Sequence, residues 1–171
     1  MRTVPDGLAG AIEPRASGPA RPDHRVPESG LSGAGSIMQK ILVIDDEPDV
    51  REFLATALRR AGYEVLAAAN GREGIHACRR TTVDLVITDL VMPEKEGLET
   101  IIELRREYPG VAVIAISGGA RGSNRTYLNA AELCGADRVF GKPIAPSALV
   151  AAVQDIVGPP PGAEQGRPDR N

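Results

Sequence analysis

The chain contains no Trp and only 3% aromatic residues, so it lacks the stacking platforms on which single-stranded nucleic acids are held. It also lacks a surplus of positive charge. Its 20 Lys and Arg face 23 Asp and Glu, for a net charge of -3, which argues against a general polyanion binder and against nucleic acid as a direct partner. Cysteine is scarce: Cys78 and Cys134 fall in expected helices without metal-ligand spacing and read as small buried hydrophobes in a reducing compartment. No apolar run approaches the ~18 residues of a membrane span, and the opening MRTVPDGLAGAIEPR has no continuous hydrophobic centre of the signal-peptide kind. These absences point to a soluble cytoplasmic protein with no membrane partner. What is present is 42% hydrophobic residues in a chain of 171, enough for one core of ordinary size.

Residues 1–37 are rich in Gly, Pro, Ala, Ser and Arg without apolar periodicity, and are expected to be a disordered N-terminal extension. Arg2, Arg15, Arg21 and Arg25 are balanced by Asp6, Glu13, Asp23 and Glu28, so this is no basic arm. Met38 offers an alternative start. Residues 158–171, GPPPGAEQGRPDRN, read as a disordered C-terminal tail, which leaves a single domain over 38–157.

Within that domain the pattern alternates. Strands are expected at Lys40 to Asp45, Tyr63 to Ala68, Val83 to Asp89, Val111 to Ser117 and Arg138 to Phe140. Between and after them run helices, the first from Pro48 to Ala61 with Val50, Phe53, Leu54, Ala57 and Leu58 as its apolar face and Arg51, Glu52, Arg59 and Arg60 turned to solvent. The helix after the third strand has Leu98, Ile101, Ile102 and Leu104 as its apolar side, and a last helix runs from Ser147 to Val157. Near-continuous apolar strands joined by short connections predict an α/β fold, a doubly wound five-stranded parallel sheet with helices on both faces.

The stretch ILVIDDEPD poses a chemical problem. Asp45, Asp46 and Glu47 end a buried strand, where adjacent carboxylates repel each other and lose hydration unless a cation compensates them. In a doubly wound sheet ligands bind beyond the carboxyl ends of the strands. Those ends carry Asp45 and Asp46, then Asp89, Ser117 and Lys142: carboxylates, a hydroxyl and an ammonium converging from four strands.

The motifs VIDDE, LVITDLVMPEKEG, AISGG and GADRVFGKP, in this order and spacing, resemble the response-regulator receiver domain of two-component signalling, in its stand-alone form. The resemblance implies the CheY-like strand order 2-1-3-4-5. It also implies a module that is no conventional enzyme but catalyses its own aspartyl phosphorylation and dephosphorylation. Asp89 would be the phosphoacceptor, with Ser117 and Lys142 completing the catalytic set. Asp46, Asp89 and the Val91 backbone carbonyl would bind Mg2+, with Asp45 assisting through water, and Gly118 would leave the approach open. The Lys142-Pro143 peptide would be cis. The phosphoryl donor would be a sensor histidine kinase or a histidine phosphotransfer protein, and an output protein would bind residues 123–157.

One position departs from the family pattern. Signal readout in receivers pairs the Ser117 hydroxyl with an aromatic three residues before the lysine, and here that switch position holds Val139. Strand alternation turns Phe140 to the opposite face. A phosphorylation-independent interaction module of the same fold therefore remains the alternative. A haloacid-dehalogenase-type phosphatase would need a second Asp two residues after its nucleophile, whereas Glu47 and Pro48 stand two after Asp45 and Asp46. A flavodoxin-like carrier would need a hydroxyl-rich phosphate loop where this chain is acidic.

Overall fold

The computed structural model describes residues 38–92, 97–118 and 124–161, all within one compact unit. The expected extension over 1–37 and the tail from 162 onward lie outside the described residues. The elements are β1 (Lys40–Ile44), α1 (Pro48–Arg60), β2 (Glu64–Ala68), α2 (Gly71–Arg80), β3 (Leu85–Asp89), α3 (Gly97–Glu107), β4 (Ala112–Ser117), α4 (Asn124–Leu133), β5 (Arg138–Gly141) and α5 (Pro146–Val157). The five strands are all parallel, in the order β2-β1-β3-β4-β5.

Side-chain alternation along each strand builds two cores, one on each face of the sheet. Leu42, Ile44, Val86, Val113 and Ala115 pack with Ile75 of α2, Ile101 and Leu104 of α3, and Ala131 of α4. Ile41, Val43, Leu85, Ile87, Ile114 and Ile116 pack with Leu54 and Leu58 of α1 and Leu149 and Val153 of α5. Each large aliphatic side chain so buried contributes about 1.5–3 kcal/mol, which makes the two faces jointly the main source of stability. Val139 joins the first cluster and Phe140 the second, as alternation requires. Cys78 is buried, Cys134 is half-buried, and both are free thiols.

Local signals set the helix ends. Pro48 occupies the first turn of α1, where its missing N–H leaves no bond unmade, and Gly62 follows the helix at φ 99°. The Asn70 side chain accepts from the Glu73 N–H at 2.9 Å, while Glu73 Oε2 accepts from the Ala69 N–H at 2.9 Å, a reciprocal cap that starts α2. Two apolar residues assigned to the core by helical spacing are exposed instead: Phe53 at 50% and Ile102 at 55%. Phe53 stands at the border of the α1 stripe and lines a groove between α1 and α5 with Pro146 and Val150.

One arginine ties two loops to α3. Arg105 of α3 donates from Nε to the Gly135 carbonyl at 2.8 Å, from Nη1 to the Val111 carbonyl at 2.6 Å, and from Nη2 to Asp137 Oδ2 at 2.6 Å. Asp137 Oδ2 also accepts the Val113 N–H at 2.8 Å, so the starts of β4 and β5 are fixed to the end of α3.

The domain does not stop at Val157. Gly158 to Pro161 fold back over the amino ends of the strands: the Tyr63 hydroxyl donates to the Gly158 carbonyl at 2.8 Å, and Gln39 Nε2 donates to the carbonyls of Val157 and Pro159 at 3.3 Å each. Pro160 is buried against Gly62, where an added Cβ would approach its ring at 3.2 Å. Packed chain thus continues past the expected boundary at 157 as far as Pro160, which cannot extend the helix but covers Gly62. Tyr63→Phe removes the hydroxyl while keeping the ring, and is expected to lower stability by about 1 kcal/mol in urea unfolding at neutral pH. Burial pushes the Tyr63 phenol above its ordinary value of 10.0. The folded state thus favours the protonated phenol, so its contribution is complete below pH 10.0, is lost as the pH rises through the shifted value, and is absent from the Phe variant.

Candidate functional site

The register of the sheet decides which residues meet at its carboxyl edge. Ile44 is level with Thr88, so Asp45 and Asp89 emerge side by side from β1 and β3. Asp89 is level with Ile116, which puts Ser117 one residue higher on β4, and Ser117 is level with Gly141, which puts Lys142 one step higher again. The strand ends rise as a stair from Asp45 to Lys142, and the lysine, whose stem is long enough to reach back, folds down over the carboxylates. Its position is pinned by its own N–H donating to the Ser117 carbonyl at 2.8 Å. The Lys142-Pro143 peptide is cis.

Lys142 Nζ donates to Asp89 Oδ2 at 2.6 Å, to Asp45 Oδ2 at 3.0 Å and to Glu47 Oε1 at 3.3 Å. The Lys142 side chain is 17% exposed, and those of Asp45 and Asp89 are 1% and 5% exposed. Burial works against the Lys142 ammonium, but its bonds to Asp89 and Asp45 outweigh that effect and hold its pKa above the ordinary lysine value. Burial raises the Asp45 pKa above 3.8, opposed by the bonds from Lys142 and from the Glu47 N–H. The same low dielectric that strengthens the ion pair makes each carboxylate costly to leave alone.

The remaining contacts orient these groups. Asp89 Oδ1 accepts the Val91 N–H at 3.1 Å, which sets the Val91 backbone against the carboxylate while its side chain points outward. The Leu90 N–H donates to the Ile116 carbonyl at 2.8 Å, and the Thr88 hydroxyl to the Asp89 carbonyl at 3.0 Å, so the peptide group that follows Asp89 is held at both its donor and its acceptor. Gly97, the first residue of α3, lies so close that a Cβ there would stand 2.6 Å from Leu90 Cα and 2.9 Å from the Asp89 carbonyl carbon. That clash is with backbone, which cannot rotate away. Gly97→Ala is expected to cost about 1–3 kcal/mol through overpacking, checked by urea unfolding of the variant beside the wild type.

Ser117 Oγ is buried and has no hydrogen-bond partner among the described residues, a rare condition for a buried hydroxyl. A Cβ at Gly118 would stand 3.0 Å from Lys142 Cδ, so the missing side chain makes room for the lysine stem. The loop over 119–123 lies outside the described residues.

Carboxylate oxygens of Asp45, Glu47 and Asp89 can all lie within 4.8 Å of one another. Hard oxygen donors at this spacing suit a divalent cation of the Mg2+ or Ca2+ class, so the donor set fits the metal that the acidic strand end called for. Asp46 is half-buried and stands outside this trio. The sequence reading gave Glu47 no role, although its place as the third consecutive carboxylate was visible. It also missed Arg51, assigned to the solvent face of α1, whose Nη1 donates to the Asp45 carbonyl at 2.6 Å and ties that helix to the acidic loop. Val139 is half-buried in the core cluster that also includes Tyr127.

Comparison with known proteins agrees with this geometry. Residues 41–154 match the family model described as the response regulator receiver domain. A probable transcriptional regulator, ycf27, of Porphyridium aerugineum is 38% identical over 119 residues, which cover 70% of this chain and 48% of that protein. The chain thus spans about half the length of that relative. The solved receiver domain protein of Clostridium thermocellum is 31% identical with a TM-score of 0.65, covering 70% of this chain and 94% of that one. A response regulator of Burkholderia pseudomallei, solved with a phosphorylated aspartic acid, a calcium ion and citrate, is 28% identical with a TM-score of 0.62, covering 68% of this chain and 66% of that one.

Proposed function

Because the chain belongs to the response regulator receiver domain family, the phosphoacceptors of two-component signalling, we propose that Asp89 is the residue that takes the phosphoryl group. The observation that carries this reading is the Lys142 ammonium shared between Asp89 Oδ2 at 2.6 Å and Asp45 Oδ2 at 3.0 Å, beside an unpartnered Ser117 hydroxyl. An Asp89 oxygen attacks phosphorus as the bond from phosphorus to the donor imidazole nitrogen breaks, giving an acyl phosphate and a free histidine. Asp89 is a usable nucleophile because β3 presents it at the sheet edge with one oxygen oriented by the Val91 N–H. Lys142 supplies fixed positive charge where the equatorial phosphoryl oxygens arrive, and the Ser117 hydroxyl donates to one of them.

Asp45, Asp46, Asp89 and the Val91 carbonyl are the proposed metal-holding groups, with Glu47 added by its place in the acidic trio. Mg2+ is the proposed ion, and when bound it neutralises charge between the carboxylates and the phosphoryl oxygens. The proposed donors are a sensor histidine kinase or a histidine phosphotransfer protein, and the proposed output surface is residues 123–157, in the cytoplasm and without direct nucleic acid contact. Among the described residues no helix is long and apolar enough to cross a membrane.

The reading is tested by incubating the chain with acetyl phosphate and Mg2+ and measuring intact mass. One added phosphoryl group, lost on hydroxylamine treatment, is the expected result. Unchanged mass under conditions that phosphorylate a control receiver would instead favour a phosphorylation-independent interaction module, the role that Val139 in place of an aromatic leaves open. Chemical shifts that spread from Ser117 to Val139 on adding beryllofluoride would mark a working switch.

A further inference from the structure

The groove between α2 and β2 joins two features that the phosphoacceptor site does not use. β2 is an outer strand of the sheet, so its backbone groups turned away from β1 have no strand partner among the described residues. Beside it, Arg72, His76 and Arg80 follow one another at four-residue intervals along α2, all exposed and all lining the groove. Among the described residues no ion pair engages Arg72 or Arg80, whereas the neighbouring Arg79 is held by Glu103 and Glu107 of α3. The one acid lining the groove, Glu73, is committed to the Ala69 N–H and to Asn70. A chain of net charge -3 thus concentrates unpaired positive charge along one open sheet edge.

We propose that this groove binds an extended acidic segment of a partner protein, which adds a strand outside β2 and sets alternate carboxylates against Arg72, His76 and Arg80. Main-chain bonding to the strand edge supplies affinity, and the two arginines with His76 between them supply register. The spacings agree. Four helical residues advance about 6 Å and two strand residues about 6.7 Å, so three successive pairs stay matched to within about 2 Å. Because side chains on a strand alternate, carboxylates at every second position all face α2, while a run of consecutive acids would direct half of them to the other face. Leu66, on the α2 side of β2, gives the groove an apolar floor.

The test uses the full chain and two synthetic peptides of equal charge, acetyl-TETETET-amide and acetyl-TTEEETT-amide, followed by amide chemical shifts. The alternating peptide is expected to bind at least several-fold more tightly than the block peptide, with shifts concentrated in residues 64–81. N-methylation of its amides along one edge should abolish binding. The double variant Arg72→Glu, Arg80→Glu should weaken binding by at least ~tenfold, while Arg72→Lys with Arg80→Lys retains it. Unchanged acetyl phosphate uptake by both variants would show that the fold and the carboxyl-edge site are intact, so failure here is separable from failure of the phosphoacceptor reading. Equal binding of the two peptides, shifts elsewhere in the domain, tolerance of N-methylation, or tighter binding of duplex DNA or phosphatidylserine vesicles by the same arginines would each overturn the proposal. The peptide comparison is made on the unaltered protein and so decides the matter even where a variant fails to fold.

Discussion

Asp89→Asn is expected to take up no phosphoryl group from acetyl phosphate and Mg2+ under conditions that convert the wild-type chain. The amide offers no anionic oxygen for attack, so the covalent step is lost outright and not merely slowed. The change also rearranges hydrogen bonding. Asp89 uses one oxygen for Lys142 and the other for the Val91 N–H, whereas an amide has one acceptor for these two donors and brings an N–H2 of its own. The folding cost is limited by the partners left to Lys142, Asp45 and Glu47. Intact-mass measurement of both proteins checks the chemistry, and an adduct that persists in the variant would move the phosphoacceptor away from Asp89.

Lys142→Met should give the largest loss of stability, about 3–5 kcal/mol at neutral pH without divalent cation, since it removes the common partner of two buried carboxylates. The methionine fills much of the stem volume, so the deficit reports the charge and not a cavity. Its pH dependence has a defined sign. Asp45 already sits above 3.8 through burial, and losing the lysine bond removes an effect that lowers it. A carboxyl raised in the folded state stabilises only while protonated, so the variant's deficit should shrink as the pH falls toward 3.8 and grow as it rises through the shifted value. Added Mg2+ should restore part of the loss at pH 7 by offering the carboxylates another cation. Urea unfolding at pH 4 and pH 7, with and without Mg2+, checks each point; equal midpoints for variant and wild type would mean that Lys142 does not hold the acidic cluster together.

The sequence made Asp45, Asp89, Ser117 and Lys142 legible because a parallel sheet exports its ligand groups to one edge, so strand ends could be read as a site before any contact was known. The stair-like register that lets Lys142 reach back over Asp45 was not legible, since stagger between strands depends on backbone pairing and leaves no local mark. Helical spacing placed Leu54 and Leu58 correctly but counted Phe53 and Ile102 as core, because residues at the border of an apolar stripe are decided by what the neighbouring helix covers. Charge alone sent Arg51 to solvent, yet it stands three and four residues before the buried Leu54 and Ala55, on the inner stripe of α1, and its half-buried side chain reaches back to the Asp45 carbonyl. Composition ended the domain at Val157 for a related reason. Proline-rich chain forms no core of its own, yet it can lie on a core that is already built, as Pro160 does beside Gly62.

The bonds from Gln39 to the carbonyls of Val157 and Pro159 bring the entry and exit of this domain to one point, on the edge opposite the acidic cluster. Two sequences joined to the two ends would therefore start as neighbours, at the millimolar effective concentration that short flexible tethers give. Closing the ends with a short linker and opening the chain in an exposed loop should leave the sheet order intact. The domain is built like a plug with a single cable: both ends of the described chain leave on one side, and the acidic cluster with Lys142 lies on the other.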